Sequence, residues 1–106
     1  DESGTSGTNP EELLAAAHAG CFTMQLSHLL AENGTPATDL DTKCIVSVEP
    51  KDGGGFEITR SALTLTAVVE GIEQEDFDAI ADKAKTGCPM SVALGAIDIT
   101  LGTQLQ

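Results

Sequence analysis

From Leu13 to Leu30, apolar or small residues fall on nearly every face of a helix, and polar residues gather toward its ends. Asn9-Pro10-Glu11-Glu12 opens this stretch as a helix start. Asn9 suits the N-cap, Pro10 the first helical position, and the two glutamates complement the positive end of the helix dipole. Asn33-Gly34 is a stop signal. The pattern predicts one helix ending at about Glu32, roughly 35 Å long at 1.5 Å per residue. It should be buried on most sides and central. Asp41 to Glu49 alternates as a strand, with Cys44, Val46 and Val48 on one face and Lys43, Ile45, Ser47 and Glu49 on the other. Pro50 to Gly55 can reverse the chain. Phe56 to Glu70 reads as a second strand whose apolar phase changes between Ile58 and Leu63, which predicts a bulge or sharp twist near Arg60 to Ala62. A helix from about Gln74 to Lys85 shows Phe77, Ile80, Ala81 and Ala84 on one face, and Gly87 ends it. Pro89 to Leu94 reads as a short helix, and Ala96 to Leu105 as a last strand with Ile97, Ile99 and Leu101 in phase. The order predicts an α+β fold built on an antiparallel hairpin.

Composition narrows this further. A chain of 106 residues predicts a single domain over 1–106 with a modest core. With no Trp or Tyr and three Phe, aliphatic side chains must fill that core. The net charge of −12 argues against nucleic acid and anionic membrane as partners. No apolar stretch is read here as long enough to span a bilayer, and no secretory signal opens the chain, so a cytoplasmic location is expected. Three cysteines without framework spacing argue against structural disulfides. Asp1 to Thr8 is a polar loop rich in Gly, Ser and Thr, and reads as the end of a flexible connection to a segment upstream.

The candidate chemistry lies in two thiols. Cys21 sits mid-helix among small residues, including Ala17 and Gly20, that leave room for a substrate or another element. Cys88 precedes Pro89 and should cap the short helix, whose free N–H groups would stabilise a thiolate or a leaving sulfur. Each also has a plain reading, as a small buried hydrophobe and as an inert cap. Glu11 lies ten residues before Cys21, about 15 Å along a straight helix, so it could act on the Cys21 of a second, antiparallel chain but not on its own. Otherwise it only favours the helix N-terminus. His18 is either a base or metal ligand beside Cys21 or a packed, hydrogen-bonded histidine. His28 reads as structural, and Cys44, in phase with Val46 and Val48, as core.

Asn9 to Met24, with its His18-Ala19-Gly20-Cys21 core, closely resembles the nucleophile helix of the OsmC/Ohr family of thiol peroxidases. Ala84-Lys85-Thr86-Gly87-Cys88-Pro89-Met90-Ser91 resembles that family's second cysteine motif, and both are more similar to the OsmC branch. The resemblance covers essentially the whole chain. It implies an OsmC-like α+β fold, with a long central helix and an antiparallel sheet, as an intertwined homodimer. It implies Cys21 as the peroxidatic cysteine, Cys88 as the resolving one, and Glu11 as the catalytic carboxylate of the other subunit. The implied substrates are organic hydroperoxides, ahead of hydrogen peroxide, and the implied reductant is a lipoyl-type dithiol; no cofactor or metal is called for. Phe22 and Met24 would wall the site for an organic tail. One departure stands out. The family also uses an arginine from an N-terminal hairpin, but Asp1 stands near where it would fall and Arg60, the only arginine, lies elsewhere. The expectation is that this arginine, with the hairpin strands, precedes residue 1.

Three other readings use the same residues: a non-catalytic redox sensor or stress-binding protein switched by the two thiols, a metal site of His18, Cys21 and Cys88, and a purely structural dimerisation domain.

Overall fold

A computed structural model describes residues 9–106; the loop expected over 1–8 lies outside the described residues. The elements run α1 (Pro10–Glu32), β1 (Ala37–Pro50), β2 (Phe56–Val69), α2 (Gln74–Gly87), α3 (Pro89–Ala93) and β3 (Asp98–Leu105). The fold is α+β, a long helix on a three-stranded sheet ordered β1-β2-β3.

The helix starts and stops where its caps place it. The Asn9 side chain accepts from the Glu12 N–H at 2.8 Å, and Pro10 occupies the first turn, where its missing N–H costs nothing. Asn33 caps the end, and Gly34 takes φ +83°, a conformation that disfavours any Cβ. In the single chain, however, α1 is covered on one stripe only: Ala15, His18, Phe22, Leu26 and Leu30. Leu13 and Met24 on the outer side are 61% and 76% exposed. By length and composition α1 would also suffice to cross a membrane, which corrects the expectation that no stretch is long enough. Its alanines and glycine raise the average hydropathy, while the stripe itself belongs to the protein core.

The hairpin pairs β1 and β2 antiparallel, as expected. β3 instead pairs parallel with β2, so the sheet is mixed rather than antiparallel throughout. The physical reason is the connection: α2 and α3 carry the chain back across the sheet, and a helical crossover returns a strand in the same direction. The phase change on β2 is real. Ser47 pairs with Arg60 but Val48 pairs with Ile58, leaving Thr59 as the extra residue, one position before the expected region. Beyond it, Ser61, Leu63, Leu65, Ala67 and Val69 all turn inward. They meet Phe22, Leu26 and Leu30 of α1, and Phe77, Ala81 and Ala84 of α2 close the same cluster, which also takes in Cys88.

Leu26 is wholly buried in this cluster. Leu26→Ala is expected to lower unfolding free energy in urea by about 2–5 kcal/mol, through lost transfer energy and the cavity left behind.

Candidate active site

Cys21 lies one position round α1 from the buried stripe and is half-buried against the core cluster. Cys88 is wholly buried at the junction of α2 and α3. The fold brings the two thiols within hydrogen-bonding reach of each other. The junction explains how. Gly87 ends α2, and Cys88 is held extended at φ −63°, ψ 127° because Pro89 follows. The chain turns, and α3 starts beside Cys21.

The expectation that Cys88 would use the start of α3 is revised. Its side chain makes no capping bond, and α3 has only five residues. Instead the Met90 backbone N–H reaches Cys21. Pro89 has no N–H to offer, so Met90 supplies the first one available in the helix. Burial pushes the Cys21 thiol above the usual cysteine value, the neighbouring Cys88 thiol adds to this, and the Met90 N–H opposes it. Among the described residues no cationic group acts on Cys21.

Beside the thiols lies a buried polar chain. His18 Nδ1 is 2.6 Å from Ser61 Oγ, and His18 Nε2 is 2.8 Å from Ser91 Oγ. Ser61 Oγ is in turn 3.1 Å from Cys44 Sγ. Among the described residues no buried side-chain nitrogen or oxygen lacks a partner. Burial holds His18 below the ordinary histidine value, and so neutral. Burial pushes the Cys44 thiol up, against the opposing bond from Ser61. Thus His18 is the hydrogen-bonded histidine of the plainer reading. With both ring nitrogens engaged it is not free to bind a metal, and among the described residues no cluster of three or more His, Cys, Asp or Glu could hold one. Ser61 and Ser91 were not singled out from the sequence. The available signal was parity: Ser61 shares the inward phase of Leu63 and Leu65.

Glu11 is elsewhere. It lines a groove of about 580 Å³ with Asn9, Cys44, Ile45, Val48 and Phe56, which Cys21 does not touch. Cys44 is therefore only part of the core, since it also faces this groove. Phe22 is wholly buried and cannot wall a substrate, whereas Met24 is out on the surface. His28 is exposed and meets Glu32 at 3.2 Å.

A pair of adjacent thiols, one exposed enough to meet a substrate, can be compared with known proteins. The OsmC family, described as OsmC-like protein, matches residues 3–102. The chain belongs to this family. It is 50% identical over 103 residues to Peroxiredoxin OsmC of Escherichia coli K12, covering 97% of this chain and 71% of that protein. It is 30% identical to the organic hydroperoxide resistance protein OhrB of Bacillus subtilis, covering 92% and 71%. The crystal structure of Bacillus subtilis OhrB superposes with a TM-score of 0.77 at 31% identity, over 97% of this chain and 75% of that one. An organic hydroperoxide resistance protein OsmC from Legionella pneumophila gives 0.75 at 30% identity, over 92% and 70%. Membership of the OsmC family rests on sequence and fold together.

The depressed His18 value has a consequence for acid stability. In the unfolded chain this histidine protonates near pH 6.5, but in the fold it stays neutral to lower pH. Its contribution is therefore complete above about pH 6.5 and is lost as pH falls through the folded-state value. His18→Gln is expected to flatten the fall of urea stability as pH drops below about 6.5; an unchanged slope would remove His18 from the acid response.

Proposed function

We propose that this chain is a cysteine-based peroxidase that reduces organic hydroperoxides, and hydrogen peroxide less well, in cytoplasmic oxidative or osmotic stress defence. A peroxidase-type role follows from membership of a family that includes Peroxiredoxin OsmC and organic hydroperoxide resistance proteins. The observation that carries the finer reading is the meeting of the Cys21 and Cys88 thiols at the Met90 N–H.

The Cys21 thiolate attacks the distal peroxide oxygen. The O–O bond breaks, the alkoxide takes up a proton and leaves as alcohol, and Cys21 becomes a sulfenic acid. Cys88 then attacks the Cys21 sulfur. The S–S bond forms as the S–O bond breaks, and the hydroxyl leaves with the Cys88 proton as water. An external dithiol, of the lipoyl type that the resemblance implies, reduces the disulfide and is itself oxidised. The Met90 N–H favours the Cys21 thiolate, but burial outweighs it. A cationic group from outside the described residues, such as the arginine expected from the resemblance, would supply the missing stabilisation.

Glu11 is assigned to the partner's Cys21 in an intertwined homodimer. Three observations support a dimer. The outer side of α1 is apolar and small, with Ala16, Ala17 and Gly20 exposed beside Leu13 and Met24. The groove holding Glu11 is walled by Ile45 and Phe56, which are 70% and 72% exposed in the single chain. The radius of gyration is 15.1 Å, against about 13 Å for a compact chain of this length.

Treatment of the reduced protein with one equivalent of an organic hydroperoxide should yield a Cys21–Cys88 disulfide by mass spectrometry, with Cys44 free. Unreacted thiols would remove the peroxidase cycle. A non-catalytic redox sensor using the same pair is the second reading, since adjacent thiols can form a disulfide without cycling; sustained turnover with a dithiol donor would exclude it. For Glu11, Glu11→Gln and Cys21→Ser chains, each inactive alone, should regain activity when refolded together. Mixed dimers would then hold one intact Cys21–Glu11 pair across the interface. No recovery despite mixed-dimer formation would place the carboxylate's action within one chain.

A further inference from the structure

We propose that His18, held between Ser61 and Ser91, is a positioning residue that sets the alignment of the Cys21–Cys88 thiol pair. Apart from the partly buried Met90, little holds α3 in place. It has five residues, and Ser91 is its one buried side chain. Val92 is 68% exposed, and Pro89 and Ala93 also face outward. Such a short helix has no intrinsic stability and keeps its place only through tertiary contacts. Yet both groups that meet Cys21 belong to its start: the Cys88 thiol just before it and the Met90 N–H within it.

Met90 packs against the core cluster, and the inward polar tie on this segment is the 2.8 Å bond between Ser91 Oγ and His18 Nε2. His18 lies one helical turn before Cys21 on α1, so the bond joins the two thiol-bearing segments at close range. The ring is itself anchored on the sheet at 2.6 Å by Ser61, which extends the chain of contacts to Cys44 at 3.1 Å. A neutral imidazole donates at one nitrogen and accepts at the other, and serine hydroxyls can rotate to serve either tautomer. The clamp is therefore closed whichever nitrogen carries the proton. Its breakage would leave a buried ring nitrogen unpaired, so the bonded geometry is strongly favoured.

The inference rests on the thiol pairing of the proposed cycle but not on peroxide chemistry, and its test uses none. The full chain is equilibrated in glutathione and glutathione disulfide buffers, and the Cys21–Cys88 disulfide is quantified by mass spectrometry, with thermal midpoints measured alongside. Ser91→Ala should lower the equilibrium constant for the intramolecular disulfide about tenfold, because a loosened α3 lowers the effective concentration of one thiol at the other. Two His18 substitutions then separate reach from packing. His18→Asn places its amide where Nδ1 was and falls short of Ser91, so it should show a similar loss. His18→Gln extends to the Nε2 position and should stay within about threefold of the unsubstituted chain. Lowered thermal midpoints with an unchanged constant, or equal losses in His18→Gln and His18→Asn, would overturn the proposal. An unsubstituted chain that forms no Cys21–Cys88 disulfide in these buffers would overturn the thiol cycle itself.

Discussion

The rest of the structure depends on one packing constraint. The stripe of α1 from Ala15 to Leu30 must be covered by the inward face of β2, and that stripe contains a histidine. Leu63 and Leu65 can meet Phe22 and Leu26 by area alone. His18 cannot be satisfied so loosely, because a buried ring nitrogen without a partner costs about 1–3 kcal/mol. It requires hydroxyls at fixed places, one on β2 and one on α3. The extra residue at Thr59 gives Ser61 its inward orientation, so a local irregularity in a strand fits the sheet to the helix. Helix, sheet and the short segment after Cys88 are thereby registered against one another at a single ring.

The same constraint separates two regions of the hairpin. Past the bulge, β2 turns a continuous row of side chains into the core. Before it, Phe56 and the facing residues of β1 open onto the groove that holds Glu11. One helix thus presents a carboxylate at its first turn to the groove and a thiol two to three turns later to α3. The distance between them along one rigid helix is what gives a second chain its part in the proposed chemistry.

Much of this could be read from residue order. The caps of α1, the alternation of β1, the amphipathic face of α2 and the change of phase on β2 are local signals, carried by residues close in sequence. The proximity of Cys21 and Cys88 was readable only through the family resemblance of the motifs around them. Three features escaped. The parallel pairing of β3 is decided by where α2 and α3 deliver the chain, and strand alternation does not record direction. Ser61 and Ser91 are ordinary small polar residues until His18 is placed between them, 43 and 73 positions away in sequence. The one-sided covering of α1 is not legible in the sequence because alanine and glycine are compatible both with burial in one chain and with an exposed, closely approachable surface.

The meeting of Cys21 and Cys88 also bears on how the chain resists unfolding. The two residues are separated by nearly two-thirds of the sequence, and the segment between them includes the whole hairpin and α2. Joined as a disulfide, they would close a loop whose lost freedom in the unfolded chain is worth about 4 kcal/mol. That is comparable to a large part of the total stability of a small domain. A turn of the redox cycle would then alternate a tethered chain with an untethered one. Exposure to proteases and to aggregation would follow the supply of reductant, with the reduced, ready form the more vulnerable of the two.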